Sequence, residues 1–402
     1  MSLTTHSLID FDALIGPLSL IGELPAVSMP TANATVLHVI NGEHFSGAER
    51  VQQLLGKRLG EFGFDARFAC VKPGRFPELC GLSKPQVVET PMRGRLDLRV
   101  ISQLTSYVRE NSVALLHAHT PRTAMITSLV ALRTGVPWVY HVHSPTSRDS
   151  TRGWVNRMNS WIEGYSISNC DCLITVSASL AKEMQRLGVA QHQLVTVPNG
   201  VPPIEPIDSR ARIERSNWRL GIVALMRPRK GVEVALQAMQ RLKAAGRPVT
   251  LELIGGFETD TYQEQIMAMV EDLNVQDVVQ WSGFTSDVPA TIRKLDALVL
   301  PSLFGEGMPM VVLEALAAAV PVVATSVEGT PEVVRDGVEG VLAEPRSVDS
   351  LVAKIEELIS DRGRWIAMSD RALARHREHY SDQRMAQGVA AAYNRVLHSN
   401  GT

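Results

Sequence analysis

From Thr35 onward, short runs of β-branched and apolar residues alternate with segments of helix length. TVLHVI (35–40) leads into an amphipathic stretch from Ala48 to about Phe62, then DARFACV, a helical stretch near 96–110 and SVALLHAH (112–119). Helices are expected near 122–134, 153–168 and 178–187, among the strands PWVYHVH (137–143), CDCLITV (170–176) and QLVTV (193–197). Repeated β-α-β alternation of this kind predicts a mainly parallel sheet covered by helices.

The segment VPNGVPPIEPIDSRARIERSN (197–217) breaks the pattern with four prolines and mixed charge, which suits an interdomain linker. Alternation restarts at WRLGIVALM (218–226) and continues through VTLELIGG (249–256), DVVQWSG (277–283), DALVLPS (296–302), VPVVATS (320–326) and EGVLAEP (339–345). Residues 347–398 read as helices alone. The expected organisation is an extension (1–34), a Rossmann-like domain (35–201), a linker (202–217), a second Rossmann-like domain (218–380) and a C-terminal helix (381–402) packing back on the first domain. Two doubly wound α/β domains leave a cleft where the carboxyl ends of the strands bind a ligand.

Length and charge narrow the function. A chain of 402 residues is long for one hydrophobic core and suits two. A formal net charge of -2 excludes a strongly basic nucleic-acid binder and leaves small molecules, lipids and proteins open. Over residues 36–210 there are 19 Lys plus Arg against 14 Asp plus Glu, and this mild excess in the first domain suits an anionic partner. Cys70, Cys80, Cys170 and Cys172 have neither disulfide-scaffold nor zinc spacing. Cys170 and Cys172 point to one face of a strand, so a soft-metal or redox pair stands beside the preferred reading of two core residues. The N-terminal stretch lacks a basic start and carries Asp10, Asp12 and Glu23, unlike a signal peptide, and no segment has the apolar length of a membrane span. The expectation is a cytoplasmic protein.

The most informative segment is VLPSLFGEGMPMVVLEALAAAVPVVAT (299–325). A strand ends at Pro301, a glycine-bearing loop follows, and a helix is expected to start near Pro309, with proline in its first turn. Loop and helix N-terminus make an anion site. Glu306 lies in the loop and Glu314 about two turns into the expected helix, so two carboxylates flank a place suited to phosphate and can accept hydrogen bonds from sugar or ribose hydroxyls. MRPRKG (226–231) adds Arg227, Arg229 and Lys230 after a strand, a fork-and-point-charge set for phosphate oxygens. In NGEHFSGAER (41–50), Gly47 stands just before a helix, but G-x-G-x-x-G spacing is missing, which argues against a dinucleotide-dependent oxidoreductase. His117 with His119, and His141 with His143, share strand faces near the cleft. Without H-x-x-x-H or acidic partners, polar contact with substrate is favoured over zinc.

Together these residues resemble glycosyltransferase family 4, retaining enzymes with the GT-B fold, over about residues 35–345. The resemblance is carried by the combination SGAER, HVHSP, VPNGV, RPRKG, FGEGMPMVVLEA and GTPEVV. It implies two Rossmann-like domains facing a central cleft, a nucleotide-diphosphate sugar as donor with UDP favoured over GDP, no cofactor and no metal. By the same resemblance, Gly47 belongs near the donor diphosphate and His143 near the transferring sugar. Glu306 matches the carboxylate facing the donor sugar, with the amides of Gly307, Met308 and Met310 beside it. Glu314 matches the ribose ligand, Lys230 the phosphate-binding lysine, and Asn199 with Gly200 the motif before the linker. Arg229, Gly255 and Phe284 complete the donor-side candidates. Family members commonly carry G-R-L-x-x-x-K-G, and here Leu225 stands where that arginine is expected. Arg227 or Arg229 is expected to take its role, Arg227 being preferred because two residues along a strand restore the same face.

The reaction implied is retaining transfer of a sugar to an acceptor hydroxyl in polysaccharide or glycolipid assembly, with His143, Glu306, Lys230 and Arg227 carrying the chemistry. On the acceptor side, His119 and Trp154 are the candidates. Trp154, Met158, Trp161 and Tyr165 fall at helical spacing among Arg148, Arg152 and Arg157. Such a face either packs in the core or lies on an anionic membrane, which would place a glycan or lipid-linked acceptor at its inner surface. A nucleotide-sugar epimerase, a phosphorylase, or a catalytically silent nucleotide-sugar sensor or scaffold are the competing readings.

Overall fold

The computed structural model describes residues 33–94, 97–144, 169–207 and 216–399. Residues 1–32 of the expected extension, the helix at 153–168 with Trp154 and its aromatic face, and the middle of the linker lie outside the described residues.

The first sheet has seven parallel strands in the order β3-β2-β1-β4-β5-β6-β7. These are β1 (Ala34–Ile40), β2 (Phe64–Cys70), β3 (Val87–Glu89), β4 (Leu115–Ala118), β5 (Trp138–Val142), β6 (Cys172–Thr175) and β7 (Leu194–Thr196). Helices α1 (Gly47–Arg58), α2 (Arg75–Leu79), α3 (Arg99–Glu110), α4 (Pro121–Thr134) and α5 (Ala178–Arg186) connect them. Local chemistry sets their limits. In α3 the buried Val100, Ile101, Leu104, Thr105 and Val108 recur at helical spacing. Helix α4 starts where the Thr120 hydroxyl accepts the Thr123 amide and Pro121 takes the first turn, and it stops at Gly135 with φ +73°. The central strands are buried on both faces, as a parallel sheet between helical layers requires.

The second sheet has six parallel strands in the order β10-β9-β8-β11-β12-β13. They are β8 (Trp218–Val223), β9 (Val249–Ile254), β10 (Val279–Gly283), β11 (Ala297–Leu300), β12 (Val322–Thr325) and β13 (Gly340–Ala343). Around them lie α6 (Val232–Ala244), α7 (Asp260–Asp272), α8 (Val288–Ile292), α9 (Met310–Ala317), α10 (Thr330–Val333) and α11 (Val348–Ile359). Two long helices finish the chain, α12 (Arg362–His379) and α13 (Asp382–Ser399). The two doubly wound sheets read from the sequence are both present. The strand β3 and helix α2 are additions, too short to leave a periodic signal.

The chain crosses between domains twice at one place. Val201 donates its amide to the Tyr380 carbonyl (2.9 Å), and the Asp382 amide returns to the Val201 carbonyl (3.1 Å). A Cβ on Gly200 would lie 2.1 Å from the Ser381 carbonyl oxygen, so only glycine lets the crossings touch. Helix α13 then lies on the first domain, with Tyr393 buried edge-on against Phe64 and Arg58 paired to Asp382 at 2.7 Å. Val389, Met385 and Tyr393 share one apolar core with Leu37, Phe64, Met308 and Leu313, so that core runs from the first sheet through α9. Among the described residues no helix is long and apolar enough to cross a membrane.

Candidate active site

The site is built around the start of α9. Helix α9 begins at Met310 with Pro309 in extended conformation before it, so the proline caps the helix and does not enter its first turn. Glu314 consequently stands just over one turn into α9, closer to the anion-binding end than the sequence reading had it. The first amides of α9 have no partner within the helix. The loop before it already holds a carboxylate, because Glu328 Oε2 accepts the amides of Gly305 (2.9 Å) and Glu306 (3.2 Å).

Beside that loop, Gly231 turns the chain at φ +66° against the Pro301 carbonyl, where a Cβ would lie 2.1 Å from the oxygen. This close approach brings the RPRKG turn onto the FGEG loop. The Lys230 ammonium pairs with Glu306 Oε1, which also accepts the Ser302 hydroxyl at 2.6 Å, while Arg229 reaches the same oxygen at 3.7 Å and the Gly305 carbonyl at 3.1 Å. Burial pushes the Glu306 carboxyl up, but the charge and hydrogen bond of Lys230, with Ser302 and Arg229, bring it net below its ordinary value. Burial lowers the Lys230 pKa, only partly offset by Glu306. Arg227 points elsewhere, to Glu258 at 3.4 Å. Of the two arginines weighed for the place of Leu225, it is therefore Arg229 that the fold sets against Glu306. Leu225 itself is exposed.

Across the cleft, the first domain meets this loop directly. A Cβ on Gly307 would lie 2.2 Å from the His143 carbonyl oxygen, so the glycine carries the close contact between the loop and the end of β5. Asn199 donates its side-chain amide to the Met308 carbonyl (3.2 Å), and Gly47 at the start of α1 faces the Met310 side chain at the start of α9. One turn further along both helices, Arg50 is paired with Glu314 at 2.9 Å. Burial raises the Glu314 pKa despite this arginine. Next to the pair lies a cavity of about 240 Å³ lined by Arg50, Pro202, Asp287, Arg293 and Glu314 among others. Gly255, at φ +132°, packs on the Ala224 carbonyl and ties the ends of β8, β9 and β10 together; Phe284 is exposed on the loop before α8.

Behind His143 the first domain holds an unbroken group of five histidines on β1, β4 and β5. His38, His117, His119 and His141 are fully or almost fully buried. His119, expected on the acceptor side, is buried with both ring nitrogens engaged: its Nδ1 lies 3.0 Å from His143 Nε2 and its Nε2 lies 3.0 Å from His38 Nδ1. Desolvation lowers all five, His143 to about 4, His38 to about 3 and the other three well below 6.5, so the group is neutral. Two trios, His38–His117–His119 and His119–His141–His143, have candidate metal-ligand atoms within 4.8 Å of one another. In each trio the His119 nitrogens are already engaged, with His38 in one and with His143 in the other. Cys170 and Cys172 are core residues, the Cys170 thiol spent on the carbonyl of Cys172 at 2.9 Å.

The family model for glycosyltransferase family 4 matches residues 45–204, and that for glycosyl transferases group 1 matches residues 205–376. The chain belongs to glycosyltransferase family 4. Among relatives of this glycosyltransferase, the MMP alpha-(1->4)-mannosyltransferase of Mycolicibacterium hassiacum is 30% identical over 281 residues, 65% of this chain and 66% of that protein. The Escherichia coli UDP-Gal:alpha-D-GlcNAc-diphosphoundecaprenol alpha-1,3-galactosyltransferase is 23% identical over 81% of this chain and 88% of its own length. Among solved structures, Anabaena HepE in complex with UDP-glucose superposes with a TM-score of 0.77 at 19% identity, covering 91% of this chain and 99% of that one. The GT-B architecture is thus shared.

Sequence reasoning placed Lys230, Arg229, Glu306, Gly307, Met308, Met310, Gly47 and Glu314 where the fold gathers them. It missed Ser302, Glu328 and Arg50. Ser302 and Glu328 carry no local signature, but Arg50 sits in SGAER one helical turn from Gly47, a spacing that puts it on the same side of α1.

Proposed function

We propose that this glycosyltransferase moves a sugar from a nucleotide-diphosphate sugar, with UDP as the favoured nucleotide, to an acceptor hydroxyl with retention at the anomeric carbon, in the assembly of a polysaccharide or glycolipid. The observation that carries this reading is the convergence of Lys230 and Arg229 on Glu306, in the loop that leads into α9, with the backbone of His143 from the other domain set against Gly307 of the same loop. The leaving diphosphate gathers negative charge in the transition state, and a buried ammonium, a guanidinium and oriented amides are the groups that stabilise it. In this reading they fill the role a divalent cation fills elsewhere. Glu306, held ionised, accepts hydrogen bonds from the donor sugar, and Glu314 accepts from the ribose once Arg50 gives way. The binding of UDP-glucose by HepE and the naming of a UDP-sugar for the E. coli relative support the choice of nucleotide. Two domains closing on the donor exclude water and limit its hydrolysis. The acceptor side, including Trp154, a lipid-linked acceptor and contact with an anionic membrane surface, is part of the same proposal.

The test is thermal stabilisation of the purified protein by UDP-, GDP- and ADP-sugars without added metal, for wild type and Glu314→Ala. UDP-sugars should raise the Tm of wild type and leave Glu314→Ala nearly unmoved, and the anomeric proton of the transferred sugar should keep the donor's configuration. Stabilisation by a nucleotide sugar with no nucleotide released and no sugar transferred would move the assignment to a silent sensor or scaffold, and stabilisation by none would overturn the nucleotide-sugar reading.

A further inference from the structure

The five histidines end on a group that the active site does not contain. Tyr393, on helix α13, sets its hydroxyl 2.5 Å from His117 Nδ1 and 3.4 Å from His38 Nε2. Together with the two contacts of His119, this makes one continuous line: His117, Tyr393, His38, His119, His143. Neutral imidazole has one N–H and one lone pair, and a phenol has one proton to give. Every link needs one donor and one acceptor, and because a buried phenol proton left outside the line would be orphaned, the protons of all five groups must point the same way along it.

Only two arrangements satisfy that rule. In one, protons point from His143 toward His117, leaving an N–H at His117 Nε2 and a lone pair at His143 Nδ1. In the other they point from His117 toward His143, leaving a lone pair at His117 Nε2 and an N–H at His143 Nδ1. Both terminal nitrogens are buried without a partner among the described residues. An orphaned buried N–H costs more than an orphaned lone pair. His117 has no exposed surface, whereas His143 is partly exposed at the end of β5, with its carbonyl against the Gly307 loop where the oxygens of a bound sugar or phosphate would accept. Along this line, to which His141 does not belong, the second arrangement leaves no N–H unsatisfied when a donor is bound.

We propose that Tyr393, acting through His38 and His119, is a positioning residue that fixes the tautomer of His143, so that His143 offers an Nδ1–H to the donor substrate and serves as a hydrogen-bond donor, not as a general base. This rests on the reading of His143 as the residue facing the nucleotide sugar. The neutral state of the whole line at physiological pH follows from its burial.

The experiment is long-range proton–nitrogen NMR of the protein carrying 15N-histidine, wild type and Tyr393→Phe, paired with steady-state kinetics. Phenylalanine keeps the ring against Phe64 and removes only the hydroxyl. In wild type, His143 Nδ1 should resonate as a protonated nitrogen and Nε2 as an unprotonated one. In Tyr393→Phe the two signals should move toward each other as the tautomers mix, with kcat about tenfold lower, as for one misdirected hydrogen bond in the transition state, and donor KM within about twofold. An unprotonated Nδ1 in wild type overturns the proposal, and so does a Tyr393→Phe spectrum in which His143 is unchanged. Should Tyr393→Phe fail to fold, His38→Phe, which keeps the stack on Phe68, breaks the line at its next link and must give the same mixing. Because the spectra need no turnover, absence of sugar transfer with every donor would count against the proposed function while the tautomer result still decides this inference.

Discussion

At the scale of single residues, the Lys230–Glu306 pair is the most informative feature. Glu306 is buried and Lys230 mostly so, and removing the ammonium leaves the carboxylate only the Ser302 hydroxyl and the more distant Arg229. Lys230→Met should therefore cost about 3–5 kcal/mol of stability by urea denaturation, and Lys230→Met with Glu306→Gln should recover most of it. Activity should not return in the double variant, and the single substitution should lower kcat by about 10²–10³-fold in a donor-turnover assay, since the ammonium is needed where charge develops. If stability and activity recovered together, the pair would be structural only. These two residues were legible from the sequence because each sits beside a glycine turn at a strand end, a local pattern. Arg229 over Arg227 was not legible, since strand alternation was assumed through Met226 whereas β8 ends at Val223 and Pro228–Lys230 form a turn of 3₁₀-helix. The partners of His119 were not legible for a related reason: alternation tells which face a histidine shares, not which neighbours will occupy its nitrogens.

At the scale of elements, the junction of β5 with the α9 loop depends on one missing side chain. Gly307→Ala would put a methyl group 2.2 Å from the His143 carbonyl, and the backbone on one side must retreat. The expected result is a folded protein with kcat reduced about a hundredfold, the usual consequence of displacing a reacting group by about 1 Å, and little change in urea midpoint. The three strands bearing histidines make a second prediction. Their folded pKa values lie below 6.5, so below that pH the unfolded chain takes up protons that the fold refuses. Stability is then present above pH 6.5 and is lost as pH falls from 6.5 toward about 4, where His143 begins to titrate in the fold. Each histidine contributes about 1.4 kcal/mol per pH unit in that window. Glu314, raised by burial, works in the opposite sense and softens the slope. Urea midpoints at pH 7.5, 6 and 5 should fall steeply, and less steeply for His141→Phe, by the effect of one proton. The pattern HVI, HAH, HVH along β1, β4 and β5 was visible in the sequence, but its depth came only from the sheet order that sets β4 between β1 and β5.

At the scale of the whole molecule, the closed arrangement rests on a few long-range contacts. The Glu332 carboxylate, from α10, accepts the amides of Ala178 (2.7 Å) and Ser179 (2.8 Å) and so caps α5 of the other domain. Its own carbonyl is gripped by Arg375 at 2.8 Å and Tyr380 at 2.9 Å. Glu332→Ala should weaken closure by about 1 kcal/mol, seen as a larger radius of gyration in small-angle scattering of the nucleotide-free protein, with each domain still folded. An unchanged radius would mean that Arg50–Glu314 and Gly307 hold the cleft by themselves. None of these partners was foreseeable from periodicity, because Glu332 and Ala178 are brought together by the placement of one domain on the other. The side-by-side crossings at Val201 and Ser381 have a mechanical consequence. Two separated tethers would let the halves slide or shear, but two tethers hydrogen-bonded to each other behave as a door on a single pin. The cleft then swings about one axis and its far lip travels furthest, while the cavity beside Arg50 and Glu314, lined by Val201, Pro202 and Pro203, stays close to the pin and moves least.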